Sequence, residues 1–486
     1  MAASFYWHDY ETWGADPTLD RAAQFAGVRT DGDLNPIEAP LVLYCQPPDD
    51  LLPHPEACLL TGISPQRALE QGVPEAEFIA RIHQELARPG TCGVGYNSLR
   101  FDDELTRFTL YRNFYDPYAR EWQNGNSRWD LIDVLRLAHA LRPAGLEWPS
   151  RADGSPSFRL EDLGAANGID TSGAHDALAD VRCCIALARL LKGHQPRLFD
   201  HALGLRDKRR VAELVNLAAP KPLLHVSSKY PATLGCLAPV WPLAPAPGDR
   251  NGLLLFDLRQ DPQILFDLDA AALRERVFSS RDQLPEGSER VPIKTLHLNR
   301  SPMLAPMGTL TPEAAQRWQI DPAQVLRHGA RLLADGASLG AKRAEAFARP
   351  NWPARDPEQD LYGGFLNDGD RRLAERVRAT APEYLAAAAL PFQDRRLPVL
   401  LLRHRARNWP DTLTDSERRH WDEFRRRRLT DPDGGGTLTL DQYRELIASL
   451  AQERRDPAAM ALLDALLAWG ERLEQSLGPP GSEPAA

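Results

Sequence analysis

The sequence predicts an α/β domain at its amino end, a β-rich middle and a helical carboxyl end. Three observations carry that reading. The chain has 486 residues, which at roughly 100–200 residues per domain means about two to four domains. Over the first 190 residues short apolar, β-branched or aromatic runs alternate with helix-period segments, an α/β pattern. After His194-Gln-Pro the texture turns strand-like with Pro- and Gly-rich turns, and from about Asp356 long Ala/Leu/Arg/Glu segments dominate.

In order, Phe5 to Trp13, Leu41 to Cys45 and Cys92 to Tyr96 read as strands. Glu75 to Leu86, Asp103 to Asn113, Trp129 to Leu141 and Ala174 to Lys192 read as helices. In the middle, Leu223 to Val226, Leu253 to Leu258 and Ile264 to Leu268 read as strands, and turns such as Ala244-Pro-Ala-Pro-Gly-Asp break them. Asp370 to Arg378, Asp415 to Arg428 and Leu440 to Gln475 read as packed helices. The expected domains are 1–192, 196–350 and 356–478, with a disordered tail over 479–486.

Composition narrows the class. The apolar fraction of 43% and charged fraction of 26% are ordinary for a globular protein. The net charge of −9 argues against a uniformly basic coat for nucleic acid, yet excludes no local basic groove. Only six of the 58 Lys+Arg are lysine. That bias fits either a genome that favours arginine or a use for its planar, phosphate-matching fork. Six cysteines without paired CxxC spacing suit reduced thiols and indicate no zinc site. Charges interrupt the amino-terminal apolar run, and the longest apolar stretch, Tyr384 to Phe392, falls far below the roughly 20 residues that span a bilayer. A soluble cytoplasmic protein without membrane contact is expected.

The sharpest chemical feature is His8-Asp9-Tyr10-Glu11-Thr12 inside an apolar strand. Residues i and i+2 share a strand face, so Asp9 and Glu11 project together. Two like charges side by side are costly unless a cation sits between them, and carboxylate oxygens favour a hard divalent ion such as Mg²⁺ or Mn²⁺. The plainer alternative is an edge strand with a solvated polar face. Further on, Phe101-Asp102-Asp103 stands where a strand ends and a helix begins, a position that also suits an ordinary cap. In Ala174-His175-Asp176-Ala-Leu-Ala-Asp180, a separation of five puts His175 in the loop or first turn and Asp180 one turn deeper.

Taken as an ordered set, Asp-x-Glu, Phe-Asp and His-x-x-x-x-Asp resemble the DEDDh branch of the DnaQ-like 3′–5′ exonuclease superfamily. The surrounding text is similar to the bacterial exodeoxyribonuclease I family: Phe5-Tyr-Trp-His-Asp-Tyr-Glu-Thr-Trp-Gly, Arg21-Ala-Ala-Gln-Phe-Ala, Tyr111-Arg-Asn-Phe-Tyr-Asp-Pro-Tyr, Asn126-Ser-Arg-Trp-Asp and Gln195-Pro-Arg-Leu-Phe-Asp. The likeness continues through His225-Val-Ser, Tyr362-Gly-Gly-Phe and Arg405-Ala-Arg-Asn. It implies an RNase H-like/DnaQ-like exonuclease domain, then an SH3-like β-rich domain and an α-helical carboxyl-terminal domain, which together clamp single-stranded DNA.

The resemblance implies two Mg²⁺ ions, with Mn²⁺ as the alternative, held by Asp9, Glu11, Asp102 and Asp180. Two such ions about 3.5–4 Å apart supply a nucleophilic water, charge relief and leaving-group stabilisation. His175 is expected to take the proton from the attacking water. The choice of Asp102 over Asp103 rests on the family's Phe-Asp pairing. Processive release of 5′-mononucleotides in DNA repair and recombination follows from the same likeness, with a DEDDh exoribonuclease and a non-catalytic single-strand-binding scaffold as the rivals.

Polymer binding has its own signal. Between Arg107 and Trp129 the chain interleaves Arg107, Arg112, Arg120 and Arg128 with seven aromatics, the pairing of cations and stacking rings that holds single strands. Phe108, Tyr111 and Phe114 are expected in the core, whereas Tyr118 and Trp122, near Pro117 and Gln123-Asn-Gly-Asn, are the exposed candidates. Arg159 matches the family position that contacts phosphate, and Glu11 is expected to touch the substrate as well. The family docks the acidic carboxyl-terminal tail of single-stranded-DNA-binding protein; Arg142 and Lys221 match that pocket, but His201 replaces an expected Tyr. The runs Arg403 to Arg407 and Arg425 to Arg428 suit either clamp charge or a solvated helix face. Asp431 to Gln442 mimics a calcium loop, yet Gly435 and Gln442 stand where oxygen ligands are needed, so it is read as a turn. A monomer is expected.

Overall fold

The computed structural model describes residues 4–348 and 355–477; the expected tail, 479–486, lies outside the described residues. Chain contacts divide the protein into two compact units, the first from Met1–Ser127, Thr171–Arg182 and Pro353–Ala486, the second from Arg128–Asp170 and Cys183–Trp352.

In the first unit, β1 (Ser4–Thr12), β2 (Ala22–Thr30), β3 (Leu41–Tyr44) and β4 (Thr91–Gly95) lie in the order β3-β2-β1-β4. Strand β1 is therefore interior: it pairs antiparallel with β2 along its length and parallel with β4 from Ser4 to Trp7. The edge-strand alternative for Asp-x-Glu is thereby excluded. Alternation sorts the β1 side chains. Tyr6 and Tyr10 join Phe25, Phe78, Ile79 and Ile82 in a core under the helix Glu75–Leu86, while Asp9 and Glu11 take the opposite face.

Strand β2 was not among the expected strands. Its nine residues, Ala-Ala-Gln-Phe-Ala-Gly-Val-Arg-Thr, are all buried, so no alternation marks it, and alanine carries no strand signal. The helix expected over Trp129 to Leu141 is a strand, β5 (Ser127–Asp130), followed by a helix, Leu131–Leu141, whose first turn Asp130 caps by accepting from the Ile132 N–H at 3.3 Å.

The carboxyl-terminal helices of this unit include Asp368–Ala379, Arg396–Asn408, Asp415–Thr430, Leu440–Glu453 and Pro457–Ser476. The last two replace the single helix expected over Leu440 to Gln475, because Pro457 starts a new helix that Asp456 caps. They share a core with the amino-terminal segment, in which Trp13, Leu52 and Cys58 pack with Tyr443, Leu466 and Trp469. Between Thr430 and Leu440 the calcium-like segment is fastened by Arg428, which donates to the Gly435 carbonyl at 3.0 Å.

The second unit holds an antiparallel sheet of β6 (Leu223–Val226), β7 (Leu237–Pro245), β8 (Gly252–Asp257), β9 (Ile293–His297) and β10 (Met303–Pro306) in the order β10-β6-β7-β8-β9. Leu223, Val240, Leu255 and Leu304 contribute to its core. The strand expected at Ile264 to Leu268 is a short helix, Gln263–Asp267, started by Asp261 accepting from the Gln263 N–H at 2.9 Å. Among the described residues no helix is long and apolar enough to cross a membrane.

Candidate active site

Strand β4 stops at Gly95, one residue after Val94, its last residue paired with β1, and β1 runs on past it. The crevice beyond the carboxyl ends of parallel strands is where open α/β sheets bind ligands. Asp9 and Glu11 stand there. A side chain at Gly95 would meet Ser98 Cβ at 2.6 Å and the His8 carbonyl at 3.0 Å, so only glycine lets the chain turn this tightly against β1.

The turn delivers Asp102 as the first residue of the helix Asp102–Arg112. Thr106, one turn on, donates to the Tyr10 hydroxyl at 3.0 Å and lies 2.7 Å from the Asp102 carbonyl, tying this helix to β1. Asp103 is committed elsewhere, in a buried ion pair with Arg120 at 2.5 Å. The third element is the helix Ala177–His194. Asp176 caps it, accepting from the Leu178 and Ala179 N–H groups at 3.2 Å each. His175 lies in the preceding turn with a left-handed φ of 68°, and Asp180 sits in the first turn of the helix.

These elements bring Asp9, Glu11 and Asp180 together, with one ligand atom from each within 4.8 Å of the others. Neither Asp9 nor Glu11 has an ion pair with a cationic side chain among the described residues. Burial pushes the Asp9 carboxyl well above the usual range, and Asp102, Glu11 and Asp180 add to the rise. Glu11 is pushed up to about 8 by burial and by Asp180, Asp102 and Asp176. Asp102 thus belongs electrostatically to the same cluster. Acidic oxygens converging around Asp9 and Glu11, neither of which has a cationic partner among the described residues, fit a divalent metal site.

The residues expected to bind polymer are distributed differently. Arg107 does not face outward: it is buried, donating to Glu121 at 2.7 and 2.8 Å, to Glu104 at 2.6 Å and to the Tyr362 hydroxyl at 3.1 Å. Arg112 and Arg120 are likewise buried in ion pairs, and Arg128 is buried in β5. The interleaved arginines therefore hold the fold together, which corrects the reading of Arg107 and Arg128 as open phosphate contacts. Phe108, Tyr111 and Phe114 are in the core as expected. Tyr118 is half-buried under the Arg107 guanidinium, 5.4 Å from its ring centre. Trp122 is 65% exposed.

In the second unit the Arg159 side chain is 70% exposed, 3.8 Å from Glu161. Arg142 donates to the Thr309 carbonyl at 3.0 Å, Lys221 is exposed, and His201 lies 2.7 Å from the Leu304 carbonyl. Most of the two arginine runs is neither a solvated face nor an open clamp; Arg427 alone of them is exposed. Arg403, Arg405, Arg407, Arg425 and Arg428 are buried or nearly so, and each pairs with a carboxylate.

Known proteins agree with this architecture. Family models described as Exonuclease, Exonuclease I SH3-like domain and Exonuclease I C-terminal domain match residues 6–188, 206–349 and 355–473. The class is thus an exonuclease domain followed by an SH3-like and a carboxyl-terminal helical domain. Exodeoxyribonuclease I of Escherichia coli K12 is 44% identical over 97% of this chain and 98% of its own, and that of Haemophilus influenzae is 43% identical over 88% and 90%. The structure of a moderately thermophilic exonuclease I from Methylocaldum szegediense superposes with a TM-score of 0.93 at 49% identity, covering 97% of this chain and all of that one. E. coli exonuclease I in complex with a dA16 oligonucleotide gives 0.92 at 44%, covering 97% and 100%; a zinc-bound form of its single-stranded DNA complex gives 0.92 at 44%, covering 98% and 100%. The chain belongs to the exonuclease I family.

Proposed function

We propose that this protein degrades single-stranded DNA from the 3′ end, processively and to 5′-mononucleotides, in DNA repair and recombination. The observation that carries the reading is the convergence of Asp9, Glu11 and Asp180, with the Asp102 charge beside them, on one crevice of an exonuclease-family fold. Full-length similarity to proteins solved with DNA oligonucleotides supports the substrate.

In this mechanism Asp9, Glu11, Asp102 and Asp180 hold two Mg²⁺ ions. When bound, such ions relieve charge on the phosphoryl group and lower the pKa of a coordinated water. His175, in the turn beside Asp180, takes the proton from the attacking water; placed proton transfer is worth roughly 10²–10⁴. Glu11 also faces the terminal nucleotide. Trp122 and Tyr118 offer ring faces for bases, and Arg159 offers an exposed guanidinium for a phosphate. Arg142 and Lys221 receive the acidic tail of single-stranded-DNA-binding protein, and the protein acts as a cytoplasmic monomer.

The test is digestion of a 3′-end-labelled single strand, with and without chelator, beside RNA of the same sequence. Labelled mononucleotide appears first from the DNA and only with Mg²⁺. Equal digestion of the RNA moves the substrate class, and digestion in chelator removes the metal mechanism.

A further inference from the structure

The reading above leaves one buried polar side chain of the crevice without a role. Gln24 sits on β2 directly across from Glu11, with Ala26 across from Asp9. It is 2% exposed. Its Nε2 donates to the Asp176 carboxylate at 3.4 Å, and its Oε1 accepts from the Ala177 N–H at 3.3 Å. Both bonds therefore go to the start of the helix that carries Asp180. Asp176 in turn uses its other oxygen for the Leu178 and Ala179 N–H groups, and its carbonyl accepts from the Asp180 N–H at 3.1 Å.

We propose that Gln24 is a positioning residue: its amide registers the His175–Asp180 segment against β1, so that helix and strand present their acids to one point. A primary amide of this length suits the place. It must donate to a carboxylate and accept from a backbone N–H at once, and it must add no charge to a crevice already crowded with acids. A carboxylate in the same position keeps the acceptor, loses the donor and repels Asp176. A thioether keeps the volume and loses both bonds. The left-handed backbone at His175 makes the registration matter, because the backbone bonds of this turn, from the Ala174 N–H to Thr171 and from the Asp176 N–H to Gly173, are local and do not set it against β1. A misplacement of about 1 Å at a reacting group is enough for roughly a 10²-fold loss.

The inference rests on the proposed roles of His175 and Asp180, so its test includes them. Gln24→Met, His175→Ala and the double variant are compared with the parent on single-stranded DNA at saturating Mg²⁺. Gln24→Met is expected to lower kcat by about 10- to 100-fold with KM within about threefold. In the His175→Ala background the same change is expected to have a much smaller effect, because the group it positions is gone. Gln24→Glu, which preserves volume, is expected to lose at least as much kcat and serves if the Met variant does not fold. Full kcat in a folded Gln24→Met or Gln24→Glu protein, with His175→Ala impaired, overturns the positioning role alone. A loss that multiplies unchanged onto His175→Ala assigns Gln24 to general stability and also overturns it. Full activity of His175→Ala removes both this inference and the proposed general base.

Discussion

Two of the places where the first unit buries carboxylates are treated oppositely. Around Asp50, Glu75 and Glu358, arginines reach in from distant parts of the chain. Arg407 forks onto Asp50 at 2.9 and 2.7 Å, Arg428 adds 2.6 Å, and Arg112 meets Glu75 at 3.0 Å. Burial would raise these acids, but Arg112, Arg21 and Arg407 hold Glu75 down to about 2, and Arg407 with Arg428 holds Asp50 well below the usual carboxylate range. In the crevice, burial raises Asp9 and Glu11, and the neighbouring acids raise them further. A protein that brings Arg21, Arg112, Arg403, Arg407 and Arg428 to one buried cluster brings none to Asp9 or Glu11. That contrast marks the crevice as a place kept for a cation from solution.

The largest expected effect breaks the crevice. Asp9→Asn is expected to lower the rate of mononucleotide release by at least the roughly 10²–10⁴ expected for His175→Ala, since metal binding goes with it. Next comes the paired cluster. Glu358 meets Arg407, Arg403 and Arg21, and Glu358→Gln is expected to destabilise by about 3–5 kcal/mol in denaturant unfolding, with turnover per folded molecule close to that of the parent.

A pH series sharpens the comparison. Glu11 is raised in the folded chain to about 8, so the metal-free folded state binds more protons than the unfolded one. Its contribution is present below the ordinary carboxylate range and is lost as pH rises through about 8. Glu75 is depressed to about 2, so its contribution is present above the ordinary range and is lost as pH falls towards about 2. Unfolding midpoints in chelator are expected to fall from pH 5 to 8 in the parent and to fall less in Glu11→Gln. The smallest effect is at the exposed ring: Trp122→Ala is expected to weaken single-strand binding by about 1 kcal/mol, the low end for a stacked base, with stability within about 0.5 kcal/mol.

These two regions were unequally legible. The Asp9/Glu11 pair could be read because a period of two puts both on one strand face, and the spacing of His175 and Asp180 is likewise local. The arginine cluster could not, because Asp50 and Arg428 are 378 positions apart and nothing near either names its partner. A run such as Arg425 to Arg428 looks the same whether it faces water or a buried acid. Gln24 is silent in the sequence for a related reason: it lies in an alanine-rich strand without alternation, and its partner Asp176 is far from it along the chain. The fold was clearest where periodicity was strong, as in the helix Glu75–Leu86, and least clear for short apolar runs such as Ile264 to Leu268, where strand and helix share a signature.

That Asp9 and Glu11 are left without arginine in order to hold divalent cations is the point on which the mechanism turns. It is tested most directly by the thermal midpoint of chelated parent and Asp9→Asn protein, each before and after Mg²⁺ is added. Without metal the variant is expected to melt above the parent, and Mg²⁺ to raise the parent's midpoint while leaving the variant's nearly unchanged. Equal shifts in both proteins, or none in the parent, would contradict it.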